Sequence, residues 1–168
     1  CDWSSDVCSS DLLVVLGAGG GVGTAITPLA VARGLRVVGV ASEGKENLVT
    51  SLGARHVAKG EGWVERVRGI VEKPAALFDL VGGRPLREAA ALTGRLVSVA
   101  DKPLVNELGG TDVTRRRTRA VFGQVADLLA SGQAQVTVGE VFPFGQSAEA
   151  VAVVEDGHAT GKVIVTLT

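Results

Sequence analysis

The sequence has no methionine and no tyrosine, two cysteines, and aromatic residues at only 4% of its 168 positions. Each shortage excludes something. Both cysteines, Cys1 and Cys8, fall in the first eleven residues, so the rest of the chain has no disulfide framework, thiol nucleophile or cysteine metal site. The two histidines, His56 and His158, are far apart and have no cysteine beside them. No zinc site is expected from them, and Ser42 and Ser98 have no neighbouring base with which to form a nucleophilic triad. No apolar run approaches the roughly 20 residues that span a bilayer, and no signal-peptide pattern opens the chain. A net charge of -1 gives no global attraction to nucleic acid or an anionic membrane. The expected partners therefore include neither.

The absence of methionine predicts that the natural start is missing. Residues 1–11, CDWSSDVCSSD, are polar and aperiodic. They read as a non-native segment translated from a sequencing adapter, the alternative being a flexible natural linker, and neither reading gives them a place in the fold. Without Asp2, Asp6 and Asp11 the net charge moves from -1 to +2. A cysteine-free body fits a reducing cytoplasm.

What is present is a valine- and alanine-rich chain, 46% hydrophobic, with 23 glycines that mark turns rather than a periodic repeat. Leu12 to Leu16 is a continuous apolar run, the pattern of a strand buried on both faces. Alternation follows. Helices are predicted over Thr24–Arg33, Lys45–Leu52, Trp63–Val71, Leu86–Leu92, Gln124–Ala130 and Ser147–Glu155. Strands are predicted over Leu35–Ala41, His56–Ala58, Ala76–Val81, Arg95–Ala100, Val136–Phe142 and Lys162–Leu167, with another over Thr118–Phe122. Asp101 to Arg117 reads as irregular. Strands alternating with helices on short connections give βαβ units and a parallel sheet. Right-handed crossovers make it doubly wound.

Between the first strand and first helix lies GAGGGVG, Gly17 to Gly23. Ala18-x-Gly20-x-x-Gly23 fits the dinucleotide fingerprint with alanine first, and Gly17, Gly20 and Gly23 form a second spacing of the same kind. The turn must be tight, the backbone must approach a pyrophosphate, and the helix must pack close to the strand. The free N–H groups and positive end of the helix then hold the anion. The bland alternative is a glycine-rich turn with no ligand. No Lys-Ser or Lys-Thr follows, so the loop is not a P-loop. The expected fold is α/β, a Rossmann-type doubly wound parallel sheet in three α/β/α layers, spanning 12–168. An acidic residue about 20 residues on would bind the ribose of NAD. The second strand instead ends at Ala41-Ser42-Glu43-Gly44-Lys45. A hydroxyl at Ser42 and an ammonium at Lys45 suit the 2′-phosphate of NADP(H), while Glu43 keeps NAD open.

From Leu13 onward the chain resembles the cofactor domain of the medium-chain dehydrogenase/reductase superfamily, in its zinc-independent quinone oxidoreductase (zeta-crystallin-like) branch. VVLGAGGGVGTAITPLAVARGLRVVGVAS, SLGARHV, FDLVGG, GRLVSVA and VFPFGQSAEAVAVVEDGHATGKVIVTL carry the likeness. The resemblance implies hydride transfer from NADPH to a quinone, enone, enal or similar small-molecule acceptor. It puts the pyrophosphate on Gly20, Gly21 and Val22, the 2′-phosphate near Ser42 and Lys45, the ribose side at Val81 and Gly82, and the nicotinamide near Val99 at the end of Ser98-Val99-Ala100. No residue of this chain is expected to act as catalytic acid or base, and the fragment should bind cofactor with little or no turnover.

The chain departs from the family pattern in three places. The GroES-like catalytic domain is not in this sequence, the stretch Thr118–Leu128 looks short, and the tyrosine common just after the third strand is missing. Other residues have two readings. Asp79 is either a ribose ligand or a structural acceptor. Lys162 is either near the cleft or on the surface. Arg115, Arg116, Arg117 and Arg119 read as a solvated basic loop. In the family the last strand, 162–167, pairs with the catalytic domain. Alone it would have an open edge, which predicts loose packing on the cofactor domain or a homodimer. A stand-alone nucleotide-sensing module is the alternative to an enzyme domain, since fold does not fix function. A methyltransferase-like domain is disfavoured by the closing segment.

Overall fold

The computed structural model describes residues 11–157 and 159–167. The adapter-like segment up to Ser10 and the turn expected at His158 lie outside the described residues. Six parallel strands form the main sheet in the order β3-β2-β1-β4-β5-β6. They are β1 Leu12–Leu16, β2 Arg36–Ala41, β3 Arg55–Ala58, β4 Ala76–Asp79, β5 Leu96–Ser98 and β6 Thr111–Asp112. β1 lies between β2 and β4, with Leu13 opposite both Val37 and Ala76. Residues that alternate along a strand face opposite sides of the sheet. Leu12, Val14 and Leu16 accordingly join a core under α3 (Trp63–Arg68), α4 (Gly83–Ala89) and α5 (Lys102–Glu107). Leu13 and Val15 join the other core, under α1 (Gly23–Ala32) and α2 (Glu46–Ser51). Both faces of β1 are covered, which is why its sequence runs apolar without a break. The result is the expected three-layer doubly wound fold.

Two expectations fail in the second half. The stretch read as irregular from Asp101 to Arg117 contains α5 and β6. Asp101 caps α5 by accepting from Leu104 N at 3.1 Å, and Pro103 lies in the first turn, where a missing N–H costs nothing. Thr118 to Phe122 is not a strand. Thr118 accepts from Val121 N at 3.3 Å and caps α6, Arg119–Ala130, which begins earlier than Gln124. Val121 and Phe122 suggested a strand by propensity, but the threonine cap decides the local conformation.

The chain closes with β7 (Val138–Pro143), α7 (Ser147–Glu155) and β8 (Lys162–Thr166). β7 and β8 pair parallel as a separate two-stranded sheet, with an irregularity between Val138 and Val141. The last strand therefore has a partner within the chain. This βαβ unit and the helix before it are poorly covered: β7 has no buried residue, α6 has none, and α7 buries only Ala150.

Candidate functional site

A cleft of about 920 Å³ opens at the carboxyl ends of the main strands. Its walls come from the ends of β1 to β5: Leu16, Ala41, Lys59, Val81 and Val99 are each on or just past a different strand. β1 and β4 are where the strand order reverses, the place where doubly wound sheets hold ligands.

The floor is the glycine loop. Gly17 turns the chain out of β1 with φ +82°, and the N–H groups of Gly17 and Ala18 both donate to Val40 O, at 3.0 and 3.1 Å. Gly20 N donates to Gly17 O at 3.1 Å, and Thr24 N to Gly20 O at 2.9 Å. Among the described residues, the N–H groups of Gly21, Val22 and Gly23 find no acceptor. Three adjacent donors thus stand free at the positive end of α1, the arrangement that suits a phosphate group. A Cβ on Gly23 would strike Gly17 O and lie 2.6 Å from Ala18 Cα, so only glycine lets the helix lie this close to the strand.

Nine of the eleven residues expected at the site line the cleft: Gly17, Gly20, Gly21, Val22, Gly23, Ser42, Lys45, Val81 and Val99. Ala18 and Gly82 do not. Ala18 is fully buried in the core beneath α1 and α2, and its N–H is already used by Val40. Gly82 is buried against Asp101, and its N–H is held by Asp79. Both shape the walls from behind. Glu43, the residue that kept NAD open, is exposed and outside the lining.

Asp79 takes the structural role. Its fully buried carboxylate accepts from Val81 N and Gly82 N, each at 3.0 Å to Oδ1, and from the Ser98 hydroxyl at 2.6 Å to Oδ2. Ser98 Oγ in turn accepts from Ala100 N and Asp101 N, both at 3.1 Å. Asp101 Oδ2 accepts from Gly83 N at 3.2 Å. This chain of bonds fixes the turns after β4 and β5, and with them the positions of Val81 and Val99. The carboxylate has spent its acceptors on the protein, so a ribose hydroxyl is not among its tasks.

At the end of β2, Ser42 O accepts from Lys45 N at 3.0 Å and contacts His56 Nε2 at 3.2 Å. The Lys45 stem crosses the loop where Gly19 has no side chain, and a Cβ there would strike Lys45 Cδ. Lys45 Nζ donates to Ala159 O at 2.8 Å and to Gly19 O at 3.2 Å, tying the loop to the C-terminal segment. Burial, and secondarily the positive charge of Lys59, push the Lys45 ammonium below the usual lysine pKa. Lys162 also reaches the loop, with Nζ 3.1 Å from the place a Cβ on Gly21 would take. Of its two readings, this contact places it beside the cleft. Sequence reasoning missed Gly19, Lys59 and Arg84, which line the cleft too. For Gly19 the signal was present, as part of an unbroken glycine run. For Lys59 and Arg84 only the topology brings them there.

The profile of the zinc-binding dehydrogenase family matches residues 52–165. NAD(P)H oxidoreductase RTN4IP1, mitochondrial, of Danio rerio is 28% identical over 197 residues, which cover 98% of this chain and 51% of that protein. That alignment is longer than this chain, so the relative carries residues this chain lacks. An NADPH-dependent alkenal/one oxidoreductase, chloroplastic, of Arabidopsis thaliana is 30% identical over 165 residues, 91% of this chain and 40% of its own length. Among solved structures, the quinone oxidoreductase of Coxiella burnetii superposes with a TM-score of 0.81 at 21% identity, over 94% of this chain and 53% of that one. The chain spans about half the length, or less, of these relatives. The family's description implies zinc. Among the described residues no three His, Cys, Asp or Glu side chains converge, so these residues offer no ligand set for it. The match over residues 52–165, joined to the parallel six-stranded sheet and its glycine loop, makes this chain a member of the zinc-binding dehydrogenase family.

Proposed function

We propose that this chain is the NADP(H)-holding domain of an oxidoreductase that passes hydride to an electron-poor small molecule, a quinone, enone or enal. The observation that carries the reading is the set of free N–H groups at Gly21, Val22 and Gly23, opening into a cleft with Ser42 and Lys45 at the next strand end. The donors suit a pyrophosphate, and the hydroxyl and ammonium suit a 2′-phosphate. The nicotinamide supplies the hydride when bound. The residues of this chain bind and orient it: the loop anchors the phosphates, while Asp79 and Ser98 hold Val81 and Val99 rigid on the side assigned to the ribose and nicotinamide. The acceptor class is supported by the kinds of enzyme this chain resembles, an alkenal/one oxidoreductase and a quinone oxidoreductase.

No group in the cleft is assigned as acid or base, so the chain alone should bind cofactor without turnover. The apolar faces of α6, β7 and β8 suit cover by the remainder of a parent chain, which would complete the acceptor pocket. Independence from zinc belongs to the same proposal and is checked by metal analysis of the purified protein. A cytoplasmic location rests only on the cysteine-free body. The curated relatives are named as mitochondrial and chloroplastic proteins, and cell fractionation decides.

The test is calorimetric titration of the chain with NADPH and NADH at one salt concentration. Tighter binding of NADPH by tenfold or more, about 1.4 kcal/mol, is expected. Preference for NADH would move the ribose contact to an acid such as Glu43. Binding of neither by a folded chain would reject the reading for this fragment.

A further inference from the structure

Residues 159–161 lead into β8 and lie against the glycine loop. They are held on two sides. On the C-terminal side, Lys162 N donates to Thr137 O at 2.8 Å, just ahead of β7. A Cβ on Gly139 would strike Thr160 O, and one on Gly161 would strike Thr137 O, so both glycines are needed for this close approach to β7. On the cleft side, Gly161 O is 2.8 Å from the place a Cβ on Gly21 would take. Ala159 O accepts from Lys45 Nζ at 2.8 Å, and the same ammonium donates to Gly19 O at 3.2 Å. The segment is thus a strap built onto the C-terminal βαβ unit and fastened to the loop by one lysine.

Two features link the strap to a ligand in the cleft. First, Ala159 is part of the cleft wall, together with Gly19, Gly21 and Lys45. A ligand touching that wall binds the closed strap better than an open one, and this difference in affinity is what shifts a population. Second, an ammonium has three donors, and Lys45 has used two on carbonyls. Among the described residues no carboxylate pairs with it. An anion can take the third donor while both carbonyls keep theirs. The unit that carries the strap is poorly packed, with no buried residue in β7 and only Ala150 buried in α7. Elements of that kind open at low cost, so a ligand can bias them.

We propose that residues 159–161 form a ligand-coupled strap: a phosphate-bearing nucleotide in the cleft closes it through Lys45 and Ala159 and so steadies the C-terminal βαβ unit. This rests on the nucleotide reading of the cleft. It adds that occupancy is felt by β7 and β8, which lie outside the main sheet. Coupling is reciprocal, so dislodging the strap weakens the nucleotide.

The experiment is amide exchange of the full 168-residue chain and of its Lys45→Met and Gly139→Ala variants, without NADPH and with enough to saturate each chain. In the wild type, NADPH should slow exchange at Lys162 and through β8 about fivefold or more, the low end of ordinary coupling between sites. Lys45→Met keeps the length of the stem and loses the ammonium. Without ligand its β8 should exchange several-fold faster than wild type while β1 is unchanged, and NADPH should no longer slow it. Gly139→Ala presses on Thr160 from outside the cleft lining. It should speed exchange in β8 and weaken NADPH about threefold or more by calorimetry, with β1 still protected. A wild-type chain that binds NADPH with β8 exchange unchanged or faster would overturn the strap and leave the nucleotide reading intact. Equal slowing by NADPH in Lys45→Met and wild type would overturn the coupling through Lys45. Undiminished NADPH affinity in a Gly139→Ala chain whose β8 exchanges faster would overturn the coupling as well. A folded wild-type chain that binds no NADPH would reject the nucleotide reading, and this inference with it.

Discussion

The first and last strands are both short apolar runs, yet they meet opposite fates. β1, LLVVL, is buried along almost its whole length between β2 and β4 and under helices on both faces. β8, KVIVT, has one partner and no fully buried residue. The regions around them follow suit. Among the described residues, all the exposed large apolar side chains except Val22, Leu35 and Val81 lie from Phe122 onward. Apolar character in a sequence states that a side chain is suited to burial. Whether this chain supplies the cover depends on topology. The main sheet supplies it through five flanking helices, whereas the βαβ unit at the C-terminus has a single helix of its own.

The contrast can be broken most forcefully at Asp79. Asp79→Ala strands the buried donors of Gly82 and Ser98 and the part-buried donor of Val81, and a loss of about 3–5 kcal/mol is expected, at about 1–3 kcal/mol per buried orphaned group. Urea unfolding measures it, and a loss below 1 kcal/mol would mean that the two turns hold without the carboxylate. A matched pair sharpens the comparison next. Leu77→Ala, in a fully buried position of β4, should cost about 2–5 kcal/mol. Ile164→Ala in β8, 39% exposed, should cost under about 1.5 kcal/mol, because less apolar surface is returned to water. Equal losses in the two would show that the C-terminal sheet is covered in solution, for example by a second copy of the chain.

Smaller still is Thr118→Ala, which removes the cap of a helix with no buried residue. About 1 kcal/mol is expected. The loss should appear as faster amide exchange in 119–130 and leave the main sheet protected, since weakly packed elements open on their own. Exchange that rises throughout the chain would mean that the two regions unfold together.

The smallest effect concerns Glu88, which accepts from Trp63 Nε1 at 2.7 Å and from Arg84 Nε at 2.6 Å. The Arg84 and Trp63 bonds hold its carboxyl below the usual glutamate pKa. A carboxyl held low contributes stability that is present above its unfolded pKa, about 4.3, and is lost as pH falls through the lower folded value. Trp63 fluorescence should therefore titrate with a midpoint below about 4.3. Glu88→Gln should abolish that step, and an unchanged titration in the variant would assign it to another group.

The legible parts of the molecule were those where local chemistry and tertiary need coincide. LLVVL followed by GAGGGVG has to be a buried strand turning into a helix, because few other structures satisfy both patterns. Most residues singled out from that loop and from the ends of β2, β4 and β5 line one cleft. The region from Asp101 to Phe122 was illegible for an equally local reason. α5 has six residues and β6 two, too short for a period to show, and a threonine cap outweighed the strand propensity of Val121 and Phe122. Asp79 could not be decided from sequence because its partner Ser98 lies on another strand. Nothing in the sequence sets Lys59 apart from other lysines, since only the pairing of β2 with β3 brings it to the cleft.

Every pairing in the main sheet is parallel, so no strand can be completed by a hairpin. The central strand is made first during synthesis, yet Leu13 must wait for Ala76 before its second edge is closed. Until then the growing chain carries its most apolar segment with one side unpaired. Contacts this distant in sequence make folding slow and leave intermediates prone to aggregate. For this domain, the interval between translating residue 16 and residue 79 is the period of greatest exposure to misassembly.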